Sequence, residues 1–237
     1  MKRKPPHGNV RRVRYINGNL RFALTNKAGH TVQCESFQER KLALLLERDS
    51  SVSDYISQPE VMTFTDAQGR TKTYTPDFLV KRVGSPDEIH EVTLNDRRER
   101  KPNLQEREAA ARQICQSRGM VYKVFTEDVL PDDTETANLL AFYTARTSRC
   151  ANATISQHVE AILHLHESYP FNALISQLVQ ETGIVQGNVH LTLKHLIWHG
   201  VLQIDWQRLV YLHTSVTGKR IASNAYVWLE ASTEYDS

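Results

Sequence analysis

The sequence predicts a mixed α/β domain joined to a smaller, mainly helical one. Three observations carry that prediction. Helix-like and strand-like hydrophobic periods alternate through the first half of the chain. Three helical periods then follow one another, ending in two short strand-like runs. A small polar stretch, SRCANAT at 148–154, separates the two textures. The chain has 237 residues, 40% hydrophobic and 24% charged, an ordinary soluble composition with room for one large domain or two smaller ones. The expected division is a basic arm at 1–15, a mixed domain at 16–148, a second domain at 149–217 and a tail at 218–237.

The first helix is predicted in ESFQERKLALLLERD, where Phe37, Leu42, Leu45 and Leu46 recur at helical spacing behind Ser36, a good N-cap. Strands are expected at 61–64 and 73–83 around the DAQGR turn. The turn Gly84-Ser-Pro-Asp87 leads to another short strand at 88–93. A helix over 103–118 should stop at Gly119, with MVYKVF a buried strand behind it. The order is that of a mixed sheet flanked by helices.

Beyond the polar stretch, helices are predicted at 155–168, 173–181 and 189–199, with strands at 201–205 and 208–213. Tyr169-Pro170 and Gly183 end the first two helices, and Gly200 leads into the strand pair. Three helices followed by a hairpin match a winged helix-turn-helix. Its core would be Leu163, Leu174, Leu178, Val189, Leu193, Leu196 and Leu202. Asn188, Thr192, Lys194 and His195 would then face outward from the third helix. Those residue types contact phosphates or base edges, but winged helices also dock proteins, so both uses stay open.

Net charge is only +2, so distribution matters more than total. Seven of the first 21 residues are basic (Lys2, Arg3, Lys4, Arg11, Arg12, Arg14 and Arg21) with no acid among them. Such an arm suits a polyphosphate, though it also reads as a solvated tail. Arg97, Arg98, Arg100 and Lys101 form a weaker group interleaved with Asp96 and Glu99. The three cysteines are scattered and form no CxxC pair, which suggests reduced thiols in a cytoplasmic compartment. No apolar run suits a bilayer, and the basic N-terminus has no apolar core behind it, so neither a membrane partner nor a secretory signal is expected. His164-x-His166 and His195-x₃-His199 have zinc-like spacing, yet without a cysteine pair they default to solvated or core histidines.

The chemistry concentrates in three acids: Glu39 on the first helix, Asp77 at a strand entrance behind Pro76, and Glu91 in the next strand. Glu39 precedes Leu42, Ala43 and Leu46 by helical steps and so points near the apolar face. It either meets a metal there or closes a capping box, since Ser36-Phe-Gln-Glu39 fits S-x-x-E; both can hold at once. Asp77 stands just ahead of Phe78, Leu79 and Val80, a poor place for a merely solvated charge. Thr93 shares Glu91's face because strand side chains alternate. One register would set Thr93 opposite Asp77, with Glu91 diagonally beside it. Clustered hard oxygens of this kind suit Mg²⁺, which stabilises charge on a phosphate and lowers the pKa of an attacking water.

With Ser36-x-x-Glu39, SQPE at 57–60, YTPDFLV at 74–80, HEV at 90–92 and VYKVFTED at 121–128, the chain resembles TnsA-type endonucleases over roughly residues 10–215. These are nuclease subunits of heteromeric transposases, with the PD-(D/E)xK restriction-endonuclease-like fold. The resemblance implies a Mg²⁺-dependent endonuclease, with Mn²⁺ as substitute, that nicks the 5′ ends of a transposon on the non-transferred strand. It implies double-stranded DNA, a DDE recombinase and an AAA+ ATPase as partners, in a bacterial cytoplasm at the nucleoid. By position, Glu39, Asp77 and Glu91 are the implied metal-site residues. Arg11, Arg12, Arg14, Arg97, Arg98, Asn188 and Lys194 are the expected DNA contacts.

The family pattern places a lysine at position 93, where this chain has threonine. A hydroxyl brings no charge, and losing one charged donor in a closed site costs about 10²–10³ in rate. Three accounts remain: another cation (Lys81, Lys101 or Lys123) has taken its place, the metal alone supports slow cutting, or the subunit is nuclease-dead and binds and assembles only.

Overall fold

Contacts within the chain gather into two units, Met1–Pro131 and Asp132–Ser237. The structure is a computed structural model and describes residues 21–166, 168–210 and 214–218. The arm residues Arg11, Arg12 and Arg14 and the C-terminal tail beyond Gly218 lie outside the described residues.

The first unit opens with an antiparallel hairpin that the sequence reading did not foresee, β1 (Phe22–Thr25) and β2 (Thr31–Cys34). The strands are only four residues each and their alternation is weak. Asn26 fixes the turn: its side chain accepts from the His30 amide and donates to Asp54 and to the Tyr55 carbonyl. Helix α1 (Phe37–Arg48) starts at Ser36, whose hydroxyl accepts from the Glu39 amide at 3.1 Å. Leu42, Leu44 and Leu46 enter the core, whereas Phe37 is 40% exposed and meets Phe22 edge-on.

Strand β3 (Val52–Ser57), also unforeseen, is followed by the β4 (Met62–Thr65) and β5 (Thr71–Tyr74) hairpin around DAQGR. The expected strand over 73–83 is interrupted at Thr75-Pro76-Asp77, because proline has no N–H for a ladder. Pairing resumes in β6 (Phe78–Arg82) and continues in β7 (Glu88–Val92). Short α2 (Asn95–Arg100) and long α3 (Pro102–Ser117) then lead to β8 (Val121–Phe125). The main sheet runs β3-β6-β7-β8, antiparallel except for the parallel β7–β8 pair that the helices connect. On one face Met62, Tyr74, Ile89 and Tyr122 pack with Ala111 and Cys115 of α3.

The second unit begins earlier than the sequence texture suggested. Helix α4 (Asp133–Tyr143), capped by Asp132, belongs to it, so the division falls at Pro131/Asp132 rather than 148/149. SRCANAT instead forms a 3₁₀ turn at Ser148–Cys150 and the N-cap of α5 (Ala153–Leu165). There follow β9 (Tyr169–Pro170), α6 (Phe171–Thr182), α7 (Gln186–Trp198), β10 (Leu202–Gln203) and β11 (Ser215–Gly218). Gly183 closes α6 at φ 69°, the left-handed cap that glycine adopts without strain. The small sheet has order β10-β11-β9. The second strand expected at 208–213 is not seen at 208–210, and 211–213 lie outside the described residues; β11 takes its role.

All seven predicted core residues of this unit are buried. The outward face of α7 needs correction: Thr192 is buried, at 2% exposure. It follows Leu191 and precedes Leu193 on a helix packed by α4, α5 and α6, which leaves only a narrow free stripe.

Candidate active site

Each of the three acids is set by a different local device. Glu39 completes the capping box: its carboxylate accepts from the Glu35 amide at 2.7 Å and from the Ser36 hydroxyl at 2.9 Å. Asp77 occupies the break behind Pro76. Its carbonyl accepts from the Gln58 amide, and its carboxylate accepts from the Val92 amide at 2.7 Å. Gln58 is itself buried with φ 49°, a left-handed conformation in SQPE that costs on the order of 1–3 kcal/mol. The two motifs SQP and TPD are thus one structural unit, each fixing the other's backbone. Glu91 lies in β7, 5% exposed. Phe78 pairs with His90, so the register carried one residue further sets Asp77 across from Glu91. Glu91 is therefore directly opposite Asp77, not diagonal, and Thr93 stands one pleat beyond, its amide bonded to the Phe125 carbonyl.

The acids act on one another electrically. Burial and then the Asp77 charge push the Glu39 carboxyl up to about 7. Burial and then Glu91 hold Asp77 well above the usual carboxylate range. Glu91 is also raised, chiefly by burial, against the opposing pull of Arg107. Three element ends thus bring three carboxyl groups into one electrostatic cluster.

The cation in this cluster is Arg107, which sequence reasoning missed. From α3 its Nη2 donates to Glu91 Oε1, and its guanidinium lies 4.5 Å over the Tyr74 ring. The Tyr74 hydroxyl donates to the other oxygen, Glu91 Oε2. Tyr74 stands in YTPDFLV, and Arg107 sits between Leu104 and Ala111 on the inward stripe of α3. A charge at such a position was the available sign.

The three lysines proposed as substitutes do not fill this place. Lys81 is exposed, four residues along the strand path from Asp77, a span of about 13 Å. Lys101 is exposed at the α2–α3 junction. Lys123 pairs with His90 in register and bonds Glu88 at 2.6 Å, on the sheet face opposite Glu91. There Glu88 also contacts Arg82 at 3.0 Å and buried His90 at 2.7 Å. Burial works against the Glu88 charge, but these donors hold its carboxyl down to about 2, while burial lowers His90 to about 4.

Among the expected DNA contacts, Arg97 and Asn188 are exposed. Arg98 is held by Glu108 in a paired contact at 2.8–3.1 Å. Lys194 is half-buried, with Nζ 3.4 Å from the Ala141 carbonyl. His195 and His199 contact the backbone carbonyls of Ala145 and Arg146, each at 2.8 Å, and His164 and His166 are exposed. Neither spacing forms a zinc site among the described residues.

Residues 49–127 match the family described as TnsA-like endonuclease N terminal. The match supports a TnsA-type endonuclease. The TnsA-like segment spans β3 to β8 and contains Asp77, Glu91, Thr93 and Arg107, whereas Glu39 precedes it. Its mixed sheet flanked by helices fits a nuclease fold. No curated protein matches the chain.

The donor set suits a hard divalent cation by chemistry, being three carboxylates whose mutual repulsion a cation would relieve. As the side chains stand, no three His, Cys, Asp or Glu groups among the described residues converge closely enough to hold one. Both oxygens of Glu39 and both of Glu91 already accept from protein donors. The site as described is closed around Arg107 and Tyr74. Among the described residues no helix is long and apolar enough to cross a membrane.

Proposed function

We propose that this chain is a transposon-end endonuclease subunit that nicks the 5′ ends of a mobile element on the non-transferred strand, working with a DDE recombinase and an AAA+ ATPase on nucleoid DNA. The observation that carries the reading is the electrostatic cluster of Glu39, Asp77 and Glu91 inside and beside a TnsA-like segment. Glu39, Asp77 and Glu91 would hold Mg²⁺, with Mn²⁺ as a substitute. Bound there, the ion supplies Lewis acidity toward a phosphate oxygen and a water of lowered pKa. The chain's own residues do the positioning. The Val92 amide and the Gln58–Asp77 backbone bond hold the Asp77 side chain at the strand break, and Tyr74 orients Glu91.

The second unit is read as a winged helix that adds DNA contact. Support comes from three successive helices beside a small sheet in which β11 pairs with both β10 and β9. The exposed first turns of α7, with Asn188, would meet the duplex, and the arm residues Arg11, Arg12 and Arg14 would meet its phosphates.

The test combines the full chain with its recombinase partner, a labelled transposon-end duplex and Mg²⁺ or Mn²⁺. Strand-specific 5′ nicks that Asp77→Ala abolishes are the expected result. Absence of nicks with a recombinase that cuts its own strand favours the second reading, a nuclease-dead assembly subunit. Thr93 in the lysine position and the engaged oxygens of Glu39 and Glu91 favour that alternative.

A further inference from the structure

We infer that Arg107 is the catalytic cation of this site, supplying from a helix the positive charge that position 93 lacks, and that its ligand is the scissile DNA phosphate. The inference rests on the endonuclease reading above. Four observations meet at this one side chain. Its Nη2 donates to Glu91, the acid two residues before Thr93 on the same strand face. Its guanidinium carbon lies 4.5 Å from the centre of the Tyr74 ring, a cation–π contact that restrains the side chain there. Its charge is the leading opposite charge acting on Glu91, and it acts on Asp77 as well. Its Nε is buried and has no hydrogen-bond partner, so the guanidinium is not saturated by protein acceptors.

The arrangement matches the chemistry of phosphodiester hydrolysis. A guanidinium offers several donors in one plane, and that plane fits two oxygens of a phosphate as it fits a carboxylate. The side chain is 25% exposed, so it is not wholly enclosed by its contact with Glu91. Charge building on the phosphate during attack by water is then met by a fixed positive charge. Water adds to phosphorus and gives up a proton to solvent. The P–O bond to the leaving strand breaks, and the leaving oxygen takes a proton from solvent. Arg107 stays protonated throughout and transfers nothing.

The charge can be moved to test this. The wild-type chain, Asp77→Ala, Arg107→Gln, Arg107→Lys and the double variant Arg107→Gln with Thr93→Lys are compared in the transposon-end nicking assay. Arg107→Gln should slow nicking by about 10²–10³-fold. Arg107→Lys should keep part of the rate, and Thr93→Lys in the Arg107→Gln background should bring it back to within about tenfold of wild type. A merely structural arginine would not be replaced by a charge on β7's end. Melting temperatures without divalent ions give a second readout: Arg107→Gln should melt lower, and the charge added by Thr93→Lys should recover the loss. Nicking by Arg107→Gln at the wild-type rate, with Asp77→Ala inactive, overturns the inference and leaves the endonuclease reading standing. A wild type that never nicks beside an active recombinase overturns both. A double variant that melts normally but stays inactive also overturns the inference. If Arg107→Gln does not fold, Arg107→Lys and the double variant decide by the same criteria.

Discussion

Replacing Glu39 by glutamine should stabilise the first unit at alkaline pH and not at acid pH. The carboxyl titrates at about 7 in the fold, because of burial and then the neighbouring Asp77, against 4.5 in the unfolded chain. A carboxyl raised by folding binds its proton more tightly in the native state. Its favourable contribution is complete below pH 4.5 and is lost as pH rises through 7. The loss is on the order of 3 kcal/mol. Glutamine carries no charge but keeps one acceptor oxygen for the Glu35 amide or the Ser36 hydroxyl, so about 1 kcal/mol of hydrogen bonding is given up. At pH 8 the variant should gain roughly 2 kcal/mol, which shifts a urea midpoint upward by about 1 M. At pH 4.5 it should be slightly less stable than wild type. Trp198 and Trp206, the tryptophans among the described residues, lie in the second unit, so their fluorescence marks that unit's transition. Far-UV circular dichroism then gives the remaining transition to the first unit. Parallel stabilities of variant and wild type from pH 4.5 to 8 would refute the electrostatic coupling of Glu39 to this site.

Tyr74→Phe removes a neutral donor from buried Glu91 and should cost about 1–3 kcal/mol at pH 8, less at pH 5, in the same titration. Asn138→Ala should cost roughly 3 kcal/mol in the tryptophan-monitored transition. Its side chain donates to the Trp206 and Arg208 carbonyls at 2.9 and 2.8 Å and accepts from the Val210 amide, so amide exchange at Val210 should quicken. Burial pushes the Cys34 and Cys115 thiols up, and both are fully buried, whereas Cys150 is partly exposed. Ellman's reagent should therefore titrate Cys150 alone in the folded chain and all three thiols in urea.

Much of this site was legible in the sequence, because its acids sit at marked places. Ser36 and Glu39 carry a capping signature, Pro76 announces a strand break at Asp77, and Glu91 interrupts an apolar strand. What was hidden came from pairing. The direct Asp77–Glu91 opposition depends on a register that only the folded sheet sets. Gln58 holds the Asp77 backbone across strands, and SQP has no local signal for a left-handed residue. Arg107 is 16 residues from Glu91 and lies in a helix with many charges, so its partner could not be read locally. Strands β1, β2 and β3 are short and mixed in character, held by tertiary pairing rather than by pattern. In the second unit the helical periods located the core, but α4 looked like part of the preceding domain because its packing against α7 leaves no local trace.

The parallel pairing of β7 with β8 has a consequence for how the protein assembles. Strands β6 and β7 join through a short antiparallel connection, so Asp77 and Glu91 meet early. Their cation arrives only when the long crossover through α3 is laid down and β8 closes the edge. A half-assembled sheet therefore carries neighbouring acids without relief, and its repulsion grows with pH. Docking of α3 covers Ile89 and Tyr122 and cancels that repulsion in the same event. The acids thereby penalise the incomplete sheet, and β8, which follows the helix that brings Arg107, covers the otherwise open edge of β7.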